Sequence, residues 1–270
     1  MSNLKHVSFP YRCIGKSDEQ IVDRDVEPTS MLYWLPIVET LDGIRVPKTV
    51  LVPVDPLECF QCLDGNVDPF RDSEVGTNCE LMGYPVFVRT DLFSGKHSWS
   101  NTCFVEDRGS LMPNLFRLLD ESAMRDLEVN AIAIREYIPM ATLFYAFYGK
   151  MPVNPEIRFF ARDGKIECQH WYWIPDAIKK SGAPVFDLAG SQITESEWTH
   201  RLDFARQSMG TDEKELLKIE LLNTMATVIA AQFEGYWSID FCLSKTEGWV
   251  LIDMAEGDKS WHPDDCEFKR

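Results

Sequence analysis

Two segments near the end of the chain constrain its fold more than any others. Trp237-Ser238-Ile239-Asp240-Phe241-Cys242-Leu243 and Gly248-Trp249-Val250-Leu251-Ile252-Asp253-Met254 have the composition of strands, joined by the polar turn 244–247, and each carries one aspartate among apolar neighbours. A carboxylate inside a core strand is costly unless a cation or a partner compensates it, so two such strands need two compensations. In a hairpin the two carboxylates can meet on one face, where paired hard oxygen donors beside a phosphate chain would hold magnesium. Separate salt bridges to buried arginines are the alternative.

The rest of the chain reads as further strands with interspersed helices. Residues 1–30 are polar and patternless, an expected extended arm, and 31–41 are a short helix or a strand. Residues 46–54, 84–91 and 131–139 are β-rich, the last stopped by Pro139. Residues 55–80 read as an irregular linker, with a helical turn at most, and 101–105 as extended chain after a Ser-Gly turn. Leu111, Leu115, Leu118, Leu119 and Met124 predict a helix over 110–127, and the stripe from Leu216 to Ala230 predicts a long helix over 212–233. Asp163-Gly164 predicts a hairpin between 156–161 and 165–173. Such a mixture implies mixed sheets, an α+β (mixed α/β) fold class.

At 270 residues, 45% hydrophobic and 12% aromatic, the chain is neither disordered nor fibrous, and its length suits two intimately joined lobes. The formal charge of −16, from 43 acidic and 27 basic residues, disfavours nucleic acid and anionic lipid as partners. Arg89, Lys96, Arg135 and Arg158 stand apart from one another, a pattern that suits a small anionic ligand. Residues 1–10 hold no apolar leader core, and no run approaches the roughly 18 apolar residues of a membrane span, so a cytoplasmic, membrane-free location is expected.

The eight cysteines read as reduced, buried thiols. Only Cys59 and Cys62 have the spacing of a zinc or redox pair, and no second pair follows to complete a tetrahedral site. His170 and His262 read as structural or rim residues. Glu156 and Arg158 alternate by two, so one strand face would carry a guanidinium fork able to clamp a phosphoryl oxygen, or else a cross-strand ion pair. Arg89 ends an apolar strand and Lys96 follows a Ser-Gly turn, a layout that either covers a polyphosphate with a mobile loop or is a plain turn. Glu136-Tyr137-Ile138-Pro139 either presents backbone groups to the edge of a flat base or is an ordinary strand end.

Taken in order, these segments resemble the ATP-grasp superfamily over most of residues 31–263, with 1–82 as an arm and pre-ATP-grasp-like region and 83–265 as the ATP-grasp domain. The strings Glu156-Ile157-Arg158-Phe159-Phe160 and Trp249-Val250-Leu251-Ile252-Asp253 are similar to the cell-division-cycle D123 branch and its small bacterial and phage relatives. The resemblance implies two α+β lobes clasping ATP and Mg2+. By it, Arg89 takes the place of the usual strand lysine on the α-phosphate, and Lys96 belongs to the phosphate-covering loop. Glu136, Tyr137 and Ile138 frame adenine, and Glu156 lies near the ribose. Arg158 faces the transferred phosphate, and Asp240 and Asp253 ligate magnesium. Ala255 stands where the family has an asparagine, with Glu256 or Asp258 as substitute oxygen donors.

The activity so implied is an ATP- and Mg-dependent ligase that joins a small-molecule or peptide carboxylate to an amine or other nucleophile through an acyl phosphate. Residues 31–82 and 174–211 would choose the acceptor. The alternatives are a D123-like ATP-binding assembly factor for a protein client, without ligase turnover, and a relative that has lost nucleotide binding.

Overall fold

The computed structural model describes residues 5–11, 20–64, 74–211 and 213–269. Cys13, the 65–73 part of the expected linker and Asp212 lie outside the described residues.

The fold is mixed α+β, as expected, and among the described residues every strand pairing is antiparallel. The expected N-terminal arm is instead a hairpin of β1 (Lys5–Tyr11) and β2 (Gln20–Val26). Residues 31–41 resolve as helix α1 (Met31–Val38), started by the Ser30 hydroxyl accepting from Leu32 N–H.

The first four-stranded sheet comprises β3 (Thr49–Pro53), β4 (Val86–Thr90), β5 (Phe104–Val105) and β6 (Ala131–Glu136), in the order β3-β6-β4-β5. Helices α2 (Pro56–Leu63), α3 (Glu74–Met82) and α4 (Arg108–Ala123) cover one face of it. Alternation decides which residues go where. Val86, Val88, Ile132 and Ile134 pack under the helices, whereas Phe87, Arg89 and Arg135 point the other way into a cleft. The expected linker is therefore helical where it is described, and Cys59, Cys62, Val75 and Cys79 at helical spacing bury its two helices. Helix α4 begins on an Asp107/Ser110 capping box, two residues ahead of the predicted start.

A second sheet holds β7 (Phe144–Ala146), β8 (Met151–Val153), β11 (Val185–Phe186) and β12 (Gln192–Ile193), packed on α5 (Pro175–Ser181) and α6 (Glu195–Thr211). The third, ordered β10-β9-β13-β14, contains both predicted hairpins. These are β9 (Glu156–Arg162) with β10 (Lys165–Trp171), and β13 (Tyr236–Leu243) with β14 (Trp249–Glu256). One face of this sheet, with Ile157, Phe159, Ile239 and Phe241, forms the largest core against α1 and α7 (Glu213–Ala230). The other face carries Glu156, Arg158 and Asp240.

The segment before residue 83 is built into the first sheet through β3, which pairs with β6 along its full length. Asp91, fully buried, fastens α1 to that sheet. Its carboxylate accepts from Ser30 Oγ (2.6 Å) and from the backbone N–H of Asn130 (3.1 Å) and Ala131 (3.3 Å). Asp91→Ala strands three donors and is expected to cost about 1–3 kcal/mol in urea unfolding, with Asp91→Asn losing less because it keeps an acceptor.

Candidate functional site

The first and third sheets are tied edge to face by two arginines. Arg89 Nη1 lies 2.7 Å from Asp253 Oδ1, and Arg135 Nη1 donates to the Ile252 carbonyl at 2.6 Å. Between the sheets, closed by 137–154 and by a 3-10 turn at Lys96–Asn101, lies an open cleft. Arg89, Lys96, Glu136, Tyr137, Ile138, Glu156 and Asp253 all line it, so seven of the nine residues singled out from the sequence converge. Arg158 and Asp240 do not line it.

At the charged end, Lys96 Nζ sits 3.3 Å from Glu156 Oε1 and 3.9 Å above the Tyr172 ring. Burial works against the ammonium, but Glu156, Tyr172 and Asp240 outweigh it and hold the lysine above its ordinary range. Glu156, which also accepts from Trp173 Nε1 at 3.0 Å, is pushed up by burial despite Lys96. The loop bearing Lys96 is packed and not free. Thr102 Oγ1 donates to the Gly95 carbonyl at 2.7 Å, and a Cβ at Gly149 would stand 2.4 Å from the backbone of Ser98.

Arg135 counted in the sequence among the separated basic residues that suit a small anionic ligand, but received no role of its own. Its Nε donates to Thr49 Oγ1 (3.2 Å), and its Nη2 is buried with no partner among the described residues. Burial, and then the like charge of Arg89, pull its pKa down. An unpaired guanidinium N–H on a cleft wall is a strong claim on an anion.

Phe87, Trp99, Tyr137, Ile138, Met140 and Met151 give the wall its apolar part, and Phe87 stands directly opposite Arg135 in the β4–β6 register. The Glu136 carboxylate is turned to Arg45 (2.8 Å) and Lys48 N–H (2.6 Å). Burial would raise it, yet these partners hold it below the usual carboxylate range. Beyond it, the backbone N–H and C=O groups of Tyr137 and Ile138 make no hydrogen bond among the described residues. Such groups await water or a ligand.

Asp240 and Asp253 face each other directly in the β13–β14 register, as the hairpin reading requires. Each is compensated by an arginine. Arg158, opposite Asp240 on β9, forms a two-toothed fork through Nε (2.7 Å) and Nη2 (2.6 Å), and its Nη1 donates to the Trp261 carbonyl (3.1 Å). Both Asp240 oxygens are thus engaged, whereas Asp253 Oδ2 has no partner among the described residues, and Asp253 is the carboxylate exposed to the cleft. Mg2+ commonly binds through one or two carboxylates plus phosphates and water, so Asp253 fits that demand. Glu256, the substitute donor, is taken by Lys259 at 3.0 Å.

Cys59 and Cys62 are buried in α2, away from the cleft, and burial raises the Cys62 thiol. The missed helix α6 had a signal, a Thr194/Glu197 capping box ahead of Trp198, Leu202, Ala205 and Met209 at helical spacing.

No family model and no curated protein matches the chain. Among solved structures it is similar to D-alanine–D-alanine ligase from Bacillus anthracis complexed with ATP, at 12% identity and a TM-score of 0.41, over 85% of this chain and 53% of that one. It is also similar to N5-carboxyaminoimidazole ribonucleotide synthetase from Thermotoga maritima (13%, 0.39, over 84% and 41%). A third similar structure is biotin carboxylase from Campylobacter jejuni in a β-γ-ATP complex (13%, 0.45, over 84% and 40%). The chain spans about half the length of these proteins or less. No described helix is long and apolar enough to cross a membrane.

Asp240→Ala leaves the Arg158 charge buried and unpaired and is expected to cost about 3–5 kcal/mol in chemical denaturation. The double change Arg158→Met with Asp240→Leu is expected to recover most of that loss, since it buries no charge.

Proposed function

We propose that the cleft binds Mg-ATP and that the protein is an ATP-grasp-type ligase, activating a small-molecule or peptide carboxylate for attack by an amine or other nucleophile. The observation that carries this reading is the buried, unpaired Arg135 Nη2 on a residue that lines the cleft together with Arg89, Lys96 and an apolar wall. A polyphosphate would satisfy the cations, and a flat base would lie on the apolar wall with its edge on the backbone of Tyr137 and Ile138. By the resemblance, Glu156, 3.3 Å from Lys96, would face the ribose. The ordered sequence landmarks of the ATP-grasp superfamily support the same reading.

Each residue has a distinct task in the reaction. Arg89, Arg135 and Lys96 orient the phosphates and neutralise their charge, which is most of what phosphoryl transfer asks of a protein. Asp253 would hold the magnesium, with Asp240 as the second carboxylate implied by the resemblance, and the ion would supply charge neutralisation between nucleotide and acceptor. Arg158, which the resemblance assigns to the transferred phosphate, pairs with Asp240 outside the cleft lining and would act there only after leaving that pair. Transfer of the γ-phosphoryl group to the carboxylate makes an acyl phosphate, and the nucleophile then expels phosphate.

A second reading is a D123-like ATP-binding assembly factor for a protein client. It is favoured by the engagement of Arg158 with Asp240 and Trp261, outside the residues that line the cleft. Phosphate release measured against a panel of amino acids and dipeptides separates the two. Turnover that depends on a carboxylate supports the ligase, and ATP binding without turnover supports the assembly factor.

Removal of a charge-assisted donor gives the test of the cleft itself. Lys96→Met and Arg135→Met are each expected to weaken ATP on the order of 10- to 100-fold by calorimetric titration. Unchanged affinity in both would remove the nucleotide from this cleft.

A further inference from the structure

Towards the β10 edge of the third sheet, on the face that carries Arg158 and Asp240, four side chains meet that no part of the nucleotide reading uses. Cys168 and His170 come from β10, His262 and Cys266 from the C-terminal segment, and their ligating atoms all lie within 4.8 Å of one another. A bulge in β10 between Ile166 and Cys168 makes this meeting. It shifts the register by one residue, so that Cys168 stands opposite Phe160 and His170 opposite Arg158, and both turn to the same face. The i, i+2 spacing on a strand and the i, i+4 spacing on the tail then supply two ligands each.

We propose that Cys168, His170, His262 and Cys266 form a tetrahedral Cys2His2 zinc site that fastens the C-terminal segment to the edge of the sheet. Zn–S bonds of about 2.3 Å and Zn–N bonds of about 2.0–2.1 Å put tetrahedral ligand atoms about 3.3–3.8 Å apart. Cys168 Sγ and His262 Nε2 are 3.3 Å apart. His262 is already oriented as a ligand: Tyr236 Oη lies 2.9 Å from its Nδ1, the outer partner that fixes which ring nitrogen faces inward, and its ring stacks on Phe160 at 3.9 Å. His170 Nε2 is buried and bonded to nothing. Burial and the neighbouring Cys266 thiol push Cys168 up to about 12, a penalty that a divalent cation reverses by binding the thiolate. Two thiolates and two neutral imidazoles balance one Zn2+.

The site reaches the Arg158–Asp240 pair through one bond. His262 follows Trp261, whose carbonyl accepts from Arg158 Nη1. Zinc therefore holds in place the segment that braces Arg158, although the site stands or falls independently of the nucleotide reading.

The full chain, purified without chelator under reducing conditions, is expected to carry one zinc per molecule by elemental analysis. Stripped protein titrated with Co2+ is expected to show tetrahedral d–d bands and a thiolate charge-transfer band. Cys266→Ser, a change in a half-buried tail residue, is expected to reduce both the zinc content and the charge-transfer intensity, while Cys62→Ser leaves them unchanged. Retention of no metal with an octahedral cobalt spectrum would overturn the proposal. So would a Cys168–Cys266 disulfide in freshly purified protein, or loss of the signal with Cys62→Ser in place of Cys266→Ser.

Discussion

The Arg158–Asp240 fork is the interaction on which the charged face of the third sheet depends. Both groups sit in the middle of adjacent strands, almost wholly removed from water, and neither could be there alone. Their pairing lets a core sheet carry charge on one face while its other face packs the largest apolar cluster. From this pair the polar network spreads outward. Tyr172 lies against the guanidinium and also under Lys96, Lys96 reaches Glu156, and the tail is caught at Trp261.

The first sheet meets that face with two arginines of its own, and the accounting there does not close. Arg89 finds Asp253, but Arg135 is left with an unsatisfied N–H beside a like charge. Seven other buried side-chain polar atoms among the described residues also lack a partner, and Arg135 Nη2 is the one on a residue that lines the cleft. An anion in the cleft would complete its hydrogen bonding. Contacts already made pin the Lys96 turn against Gly149.

Much of this was legible in the sequence where one physical rule dominated. β-rich composition marked the strands around Val86, Ile132 and Asp240, and Asp163-Gly164 marked its hairpin. The demand that Asp240 and Asp253 be compensated was also readable, and the pairings with Arg158 and Arg89 are the salt bridges that stood as one of its two answers. Elements whose signal is short or interrupted were harder to see. Helices α2 and α3 are little more than two turns each, and the alternation of Val7, Phe9 and Tyr11 in β1 is short and does not continue in β2. The Cys2His2 cluster was hidden because its halves lie some ninety residues apart in chain and meet only through a bulge, which no spacing rule encodes.

The most direct measurement of the central claim is a crystal structure of the protein with Mg2+ and a non-hydrolysable ATP analogue. It is expected to show phosphate oxygens within hydrogen-bonding distance of Arg135 Nη2 and Lys96 Nζ, the base against the backbone of Tyr137 and Ile138, and a metal on Asp253 Oδ2. An analogue bound elsewhere, or a cleft that stays empty at saturating analogue with Arg135 Nη2 still unpaired, would contradict it.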